Sequence, residues 1–232
     1  MTAHYRDISE SSSRTHAAPP MPSQETARDK GRVYRRIGKR MVDVTLVLVA
    51  APAVLIVIFV LALLVALDGE RPFYHQKRVG RDGRIYTMWK LRSMVVDADS
   101  RLEAHLSQNP VARTEWDSTQ KLKSDPRITA FGRFLRKSSM DELPQFWNVF
   151  KGDMSLVGPR PMMISQQDIY PGMDYYALRP GITGPWQVSE RNDSTFADRA
   201  RFDAHYNRDL SFMTDIQLLL ATVRVVLRAT GH

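Results

Sequence analysis

Apolar and polar residues follow two rhythms along this chain, and one long stretch follows neither. From Val44 to Leu67 almost every residue is apolar, with only Thr45 and Pro52 interrupting. That length suits the ~20 residues a helix needs to cross hydrocarbon. Pro52 lies well inside the run, where a missing N–H and a bulky ring kink a helix. Basic residues flank both ends: Arg32, Arg35, Arg36, Lys39 and Arg40 before, and Arg71, Lys77, Arg78, Arg81 and Arg84 after. Because Lys and Arg mark the cytoplasmic side, a segment that enters and returns satisfies both flanks, whereas a spanning helix satisfies one. On these features the re-entrant and spanning readings stand level, ahead of a buried soluble helix.

Beyond Pro72 the pattern becomes that of a folded domain. Phe73 to Met94 alternates around a Gly80–Gly83 turn and predicts a hairpin. Helical spacing follows over Met94–Leu106, the basic segment Phe131–Lys137, Asp141–Phe150 (closed by Gly152), Pro161–Tyr170 and Ser194–Asn207. Ser124–Thr129 reads as a turn, Asn109–Lys123 as a loop or short helix, and Pro180–Gly184 as a tight turn. Ile216–Arg228 is amphipathic: Ile216, Leu219, Leu220, Val223 and Leu227 share a face bordered by Arg224 and Arg228. Such a helix packs on a core or lies in a membrane interface. Residues 1–30, rich in Ser, Pro, Thr and charge, read as a disordered tail. The expected organisation is a tail over 1–30, a basic juxtamembrane and membrane segment over 31–71, and one domain over 72–232.

Charge narrows the partners. The 232 residues carry a formal charge of +8, which calls for an anionic partner such as nucleic acid, anionic lipid or a phosphorylated substrate. No basic-aromatic nucleic-acid motif appears, so nucleic acid is set aside. With no cysteine and no metal-ligand spacing among six histidines, disulfides and thiolate or zinc centres are not expected.

The chemistry centres on Ser138 to Pro161. Asp141 and Glu142 are adjacent carboxylates at an expected helix start. Ser139-x-x-Glu142 matches a capping box, and on spacing alone that structural role is favoured. It sits awkwardly with Pro144, which would then fall beyond the first turn; with Asp141 as the cap, Pro144 is tolerated. The chemical alternative is a nucleophile on phosphorus, or a Mg²⁺ ligand, with the second acid as base. Lys90, Arg92, Arg127, Arg133, Arg136, Lys137 and Arg160 stand at element ends where they can converge on non-bridging phosphate oxygens. Taken singly, most read as solvated cations. Arg160 differs, being fixed between Pro159 and Pro161. Asp203 and Tyr206, three apart on one helical face, read as a structural pair, and the four tryptophans as core or interface residues rather than stacking platforms.

Taken together, these segments resemble the bacterial sugar transferases, the monotopic phosphoglycosyl transferases that start glycan assembly on a polyprenyl phosphate. The resemblance rests on Lys90-Leu91-Arg92-Ser93-Met94, Asp125-Pro126-Arg127-Ile128-Thr129 with Phe131-Gly132-Arg133, and Asp141-Glu142-Leu143-Pro144-Gln145. It continues through Lys151-Gly152-Asp153-Met154-Ser155, Gly158-Pro159-Arg160-Pro161, Arg179 to Gly184, and Asp203 with Tyr206. It implies an α+β, mainly helical catalytic domain with a short β-hairpin. That domain would sit on the cytoplasmic face of the bacterial inner membrane, anchored by a re-entrant helix broken at Pro52 and by interfacial amphipathic helices. Asp141 would attack the sugar-linked phosphate of a UDP-sugar and release UMP, with Mg²⁺ held at Asp141. Glu142 would orient undecaprenyl phosphate, the acceptor of the hexose phosphate, galactose or glucose, in exopolysaccharide biosynthesis. Lys90, Arg92, Arg127, Arg133, Arg136, Arg160, Pro161 and Asp203 would bind substrate. Membrane lipids are the other implied partner, and a homodimer is left open. Ala51 replaces a Ser common before the anchor proline, and Ser189-Glu190-Arg191-Asn192 replaces the family's Asn-Gly-Arg-Asn.

Overall fold

A single long helix, α1 (Lys39–Val65), carries the apolar run, preceded by a π-helical turn (Tyr34–Gly38) and closed by a 3₁₀ turn (Ala66–Asp68). The structure is a computed structural model describing residues 33–119, 122–189 and 196–227; the N-terminal tail, Glu190–Asn192, Ser194 and Arg228 lie outside them. At ~1.5 Å per residue, 27 residues extend about 40 Å. Among the described residues this helical stretch is the one long and apolar enough to cross a membrane. Pro52 lies within it, and the helix runs from Lys39 to Val65 without interruption, so the expected break at Pro52 does not interrupt α1. Leu48, Val49, Leu55, Ile56, Phe59 and Val60 in its middle are exposed, whereas Lys39, Asp43 and Val47 near its start and Leu61 and Val65 near its end are buried.

Both ends of α1 dock on the same domain. At the start, Lys39 pairs with Asp215 at 2.7 Å and donates to Tyr206 at 2.9 Å. Asp43 accepts from the Leu156 amide at 3.0 Å, and Arg40 donates to the Val149 and Phe150 carbonyls. At the other end, Leu61 and Val65 join a core with Leu91 and Leu135.

The predicted hairpin forms: β1 (Phe73–Val79) pairs antiparallel with β2 (Ile85–Leu91), Phe73 opposite Leu91 and Val79 opposite Ile85. Its turn places Asp82 and Gly83 at positive φ, +57° and +74°, a region glycine enters freely and Asp tolerates. Two helices follow, α2 (Ala98–Gln108) and α3 (Pro110–Thr119), so the Asn109–Lys123 segment is mostly helix. Helix α4 (Ala130–Lys137) is capped by Thr129, whose hydroxyl accepts from the Gly132 amide. Gly132 passes so close to β2's end that a Cβ there would stand 1.9 Å from the Ser93 carbonyl oxygen.

The acidic pair is placed differently from the expected single helix over Asp141–Phe150. Met140–Glu142 is a separate 3₁₀ turn, and α5 (Gln145–Lys151) begins after Pro144. Ser139 adopts a left-handed conformation (φ 57°) and makes no side-chain cap bond, so the capping box does not form. Gly152, at φ 92°, ends α5. The Pro161–Tyr170 segment is not the expected helix but holds one 3₁₀ turn (Ile164–Gln166). Nor is Gly181–Thr183 a turn: it is strand β4, parallel to β3 (Ser155–Val157), a second two-stranded sheet beside the hairpin. Its backbone runs so near Gly158 that a Cβ on Gly181 would lie 2.1 Å from the Gly158 amide nitrogen. The last described elements are α6 (Pro185–Val188), α7 (Arg199–Asp209) and α8 (Phe212–Leu227). The main core gathers Val47, Tyr86, Met88, Val149, Leu156, Val157, Tyr206 and Leu210, so α1, the hairpin, α5, β3 and α7 share one interior.

Candidate active site

The dyad turn lies against strand β2, and the contact is made by Lys90. Its ammonium stands 2.6 Å from Glu142 Oε1 and 3.7 Å from Asp141 Oδ2. Asp141 is 5% exposed. Burial raises its carboxyl above the ordinary carboxylate range; Lys90 opposes this, Glu142 adds to it, and Arg136 opposes it again. Asp141 is therefore a desolvated carboxylate held beside cations, an arrangement suited to a nucleophile.

Asn148 fixes the relation between β2 and the dyad. Fully buried on α5, it accepts from the Trp89 amide at 3.1 Å and donates to the Thr87 carbonyl at 2.7 Å. The helix that follows the acids is thus bonded to the strand that carries Lys90.

Beside the dyad opens a cavity of about 110 Å³, lined by Lys90, Glu142, Arg160 and Pro161 and also by Arg78, Gln145 and Arg199. Four of the expected site residues thus converge on it. Arg136 stays close to Asp141 through its charge and is tied down by donating to Ser93 Oγ at 2.9 Å.

The other expected residues lie elsewhere. Arg92 binds the Arg71 carbonyl at 2.8 Å, the Val65 carbonyl at 3.1 Å and Asp68 at 2.5 Å, clamping the exit of α1. Arg127 forms a pair with Asp125 at 2.7 Å and lies over the Trp116 ring. Arg133 is exposed and donates to the Ile128 carbonyl at 3.3 Å. Asp203 accepts from the Tyr170 hydroxyl at 2.6 Å behind the cavity, and burial raises its carboxyl to about 7. Asp203 and Tyr206 share a face but not a bond, since Tyr206 donates to Asp215 at 2.5 Å. Trp186 and Trp116 do serve as platforms, for arginines rather than for bases: Arg160 and Arg199 both lie over Trp186.

Two of the cavity's arginines are not among the expected site residues: Arg78 belongs to the basic flank of the apolar segment, and Arg199 to a charged helix. A signal did exist, because Arg199, Asp203 and Tyr206 recur at the four- and three-residue steps of one buried helical face.

A family model described as bacterial sugar transferase matches residues 34–229. The chain belongs to that family. It is 46% identical over 211 residues to a UDP-galactose-lipid carrier transferase of Erwinia amylovora, covering 90% of this chain and 43% of the relative. An undecaprenyl-phosphate galactose phosphotransferase of Salmonella typhimurium is 42% identical over 207 residues, covering 88% and 43%. The exopolysaccharide production protein ExoY of Rhizobium meliloti is 37% identical over 230 residues, covering 95% of this chain and 98% of its own. This family member thus spans less than half of the first two relatives and nearly all of ExoY.

Proposed function

We propose that this bacterial sugar transferase moves a hexose 1-phosphate, galactose or glucose phosphate, from a UDP-sugar to undecaprenyl phosphate at the cytoplasmic face of the inner membrane. The observation that carries the reading is the buried Asp141 carboxylate beside Lys90, at the edge of an arginine-lined cavity. The names of the relatives reported above, which mention galactose and undecaprenyl phosphate, supply the substrate class.

In the first half-reaction an Asp141 oxygen attacks the sugar-linked phosphorus, and the bond to the bridging oxygen breaks. UMP leaves with that electron pair, and an aspartyl-phosphosugar remains. In the second, an oxygen of undecaprenyl phosphate attacks the same phosphorus and Asp141 is released. Glu142 orients the incoming lipid phosphate, and Lys90 and Arg136 offset charge on the non-bridging oxygens. Asp141 and Glu142 suit Mg²⁺, which takes one or two carboxylates and completes its shell with water and substrate phosphates. When bound there, the ion would neutralise phosphate charge.

The docking of both ends of α1 on one domain supports a helix that enters and leaves the same leaflet. It agrees with the paired basic flanks and with the apolar middle exposed between them. The test is UMP release by detergent-purified protein given UDP-galactose or UDP-glucose, Mg²⁺ and undecaprenyl phosphate. Wild type is expected to release UMP and Asp141→Asn to lose at least 10³-fold, a loss typical of removing a nucleophile. Equal activity of the two proteins would falsify the assignment.

A further inference from the structure

Three guanidinium groups approach the cavity from three separate elements: Arg78 from β1, Arg160 from the loop after β3, and Arg199 from α7. Among the described residues none of the three forms an ion pair. The cavity's carboxylate, Glu142, is engaged by Lys90. Arg199 is 8% exposed, and among the described residues its Nε has no hydrogen-bond partner; the buried Nε of Arg78 has none either, while its terminal amines donate to Gln76 Oε1 at 2.5 Å and the Pro161 carbonyl at 3.3 Å. Trp186 holds two of the three side chains by their faces: Arg199 lies 4.3 Å and Arg160 5.7 Å from the ring centroid. That contact leaves the N–H edges of both guanidiniums unspent.

Clustered, largely desolvated cations are costly even with Asp203 partly offsetting the charge of Arg199, and the groups register it. Burial and then Arg160 bring Arg199 down to about 9 and Arg78 to about 10, so both stay protonated at neutral pH. A stacked arginine with unmet donors facing an open cavity fits a ligand that brings negative charge and several acceptor oxygens.

We infer that Arg78, Arg160 and Arg199 form a phosphate subsite beside the dyad, with Arg78 and Arg199 as binding residues for a diphosphate or phosphomonoester dianion. This deepens the reading of the site given above and rests on it for the identity of the phosphate. The donor brings a diphosphate and the acceptor a phosphomonoester, so one chemistry has two sources.

The test titrates the detergent-purified full chain with inorganic pyrophosphate. Arg78→Lys and Arg199→Lys keep the charge but lose the planar fork, and each is expected to weaken binding at least ten-fold. Arg113→Lys, a half-exposed control that pairs with Glu103 and does not line the cavity, is expected to bind as wild type does. Wild-type affinity in both Arg78→Lys and Arg199→Lys would overturn the subsite. If Arg199→Lys loses its near-ultraviolet dichroism, Arg78→Lys decides by the same criterion. Displacement of pyrophosphate by UMP assigns the subsite to the donor, and displacement by a short-chain polyprenyl phosphate assigns it to the acceptor. Displacement by neither overturns the assignment. Arginine-dependent pyrophosphate binding without UMP release from any UDP-sugar would sink the functional reading and leave the subsite standing. Turnover by both variants at wild-type KM would do the reverse.

Discussion

The ammonium of Lys90 lies closer to Glu142 than to Asp141, 2.6 Å against 3.7 Å. The two adjacent acids are therefore not equivalent. Glu142 holds the strand lysine in a direct charge-assisted bond, while Asp141 keeps its oxygens for other partners and stays the more buried of the two.

Lys90→Met should lower turnover by about 10²-fold, since one positioned cation at a phosphoryl centre contributes on that order. It should also move the acidic limb of the pH–rate profile upward. Removing the cation that opposes burial raises the Asp141 carboxyl further, so a higher pH is needed to ionise it. An unmoved acidic limb would contradict the assigned role of Lys90.

Asn148→Leu should destabilise the protein by roughly 2–4 kcal/mol, because it orphans the Trp89 N–H and the Thr87 carbonyl together. Denaturant unfolding in detergent measures this. Lys90 rides on the same strand, so kcat should fall in the population that remains folded.

The buried Lys39–Asp215 pair offers a double-mutant cycle. Either Lys39→Met or Asp215→Leu alone breaks the buried pair, with buried Asp43 the other charge acting on Lys39, and should cost about 3–5 kcal/mol. The double variant should be clearly more stable than the sum of the two losses allows. Additive losses would mean that the pair does not couple α1 to α8.

Asp203 predicts an unusual pH dependence. In the unfolded chain it releases its proton near pH 4, whereas in the folded protein it keeps it to about 7. Between those values the folded state binds more protons, so stability falls as pH rises and levels off above about 7. Asp203→Asn keeps an acceptor for the Tyr170 hydroxyl and should remove that segment of the stability–pH curve.

The hairpin was legible because alternation over seven-residue strands and a Gly-x-x-Gly turn agree with each other. The apolar run was legible by length. The dyad turn was not: Ser139 carries a capping sequence, but the chain bends there into a left-handed conformation, and Pro144, not Asp141, stands at the start of α5. The parallel β3–β4 pair escaped because three-residue strands show no period, and what defines them is the close approach of Gly158 and Gly181 across a gap in sequence. Motif order names Lys90, Glu142 and Arg160, which line one cavity. It also names Arg92 and Arg127, which stand outside that lining and bond Asp68 and Asp125, and it does not name Arg78 or Arg199, whose place in the lining depends on the fold.

The ties at the start of α1 reach very far along the chain. Lys39 is held by Asp215, 176 residues later, and Tyr34 by the same carboxylate, 181 residues later. A ribosome must add 176 more residues after Lys39 before Asp215 exists. On the proposed membrane-anchored reading, the greasy segment meets the bilayer before that brace can form, and a chain that loses α8 should reach the membrane yet leave the entry of its anchor unsecured.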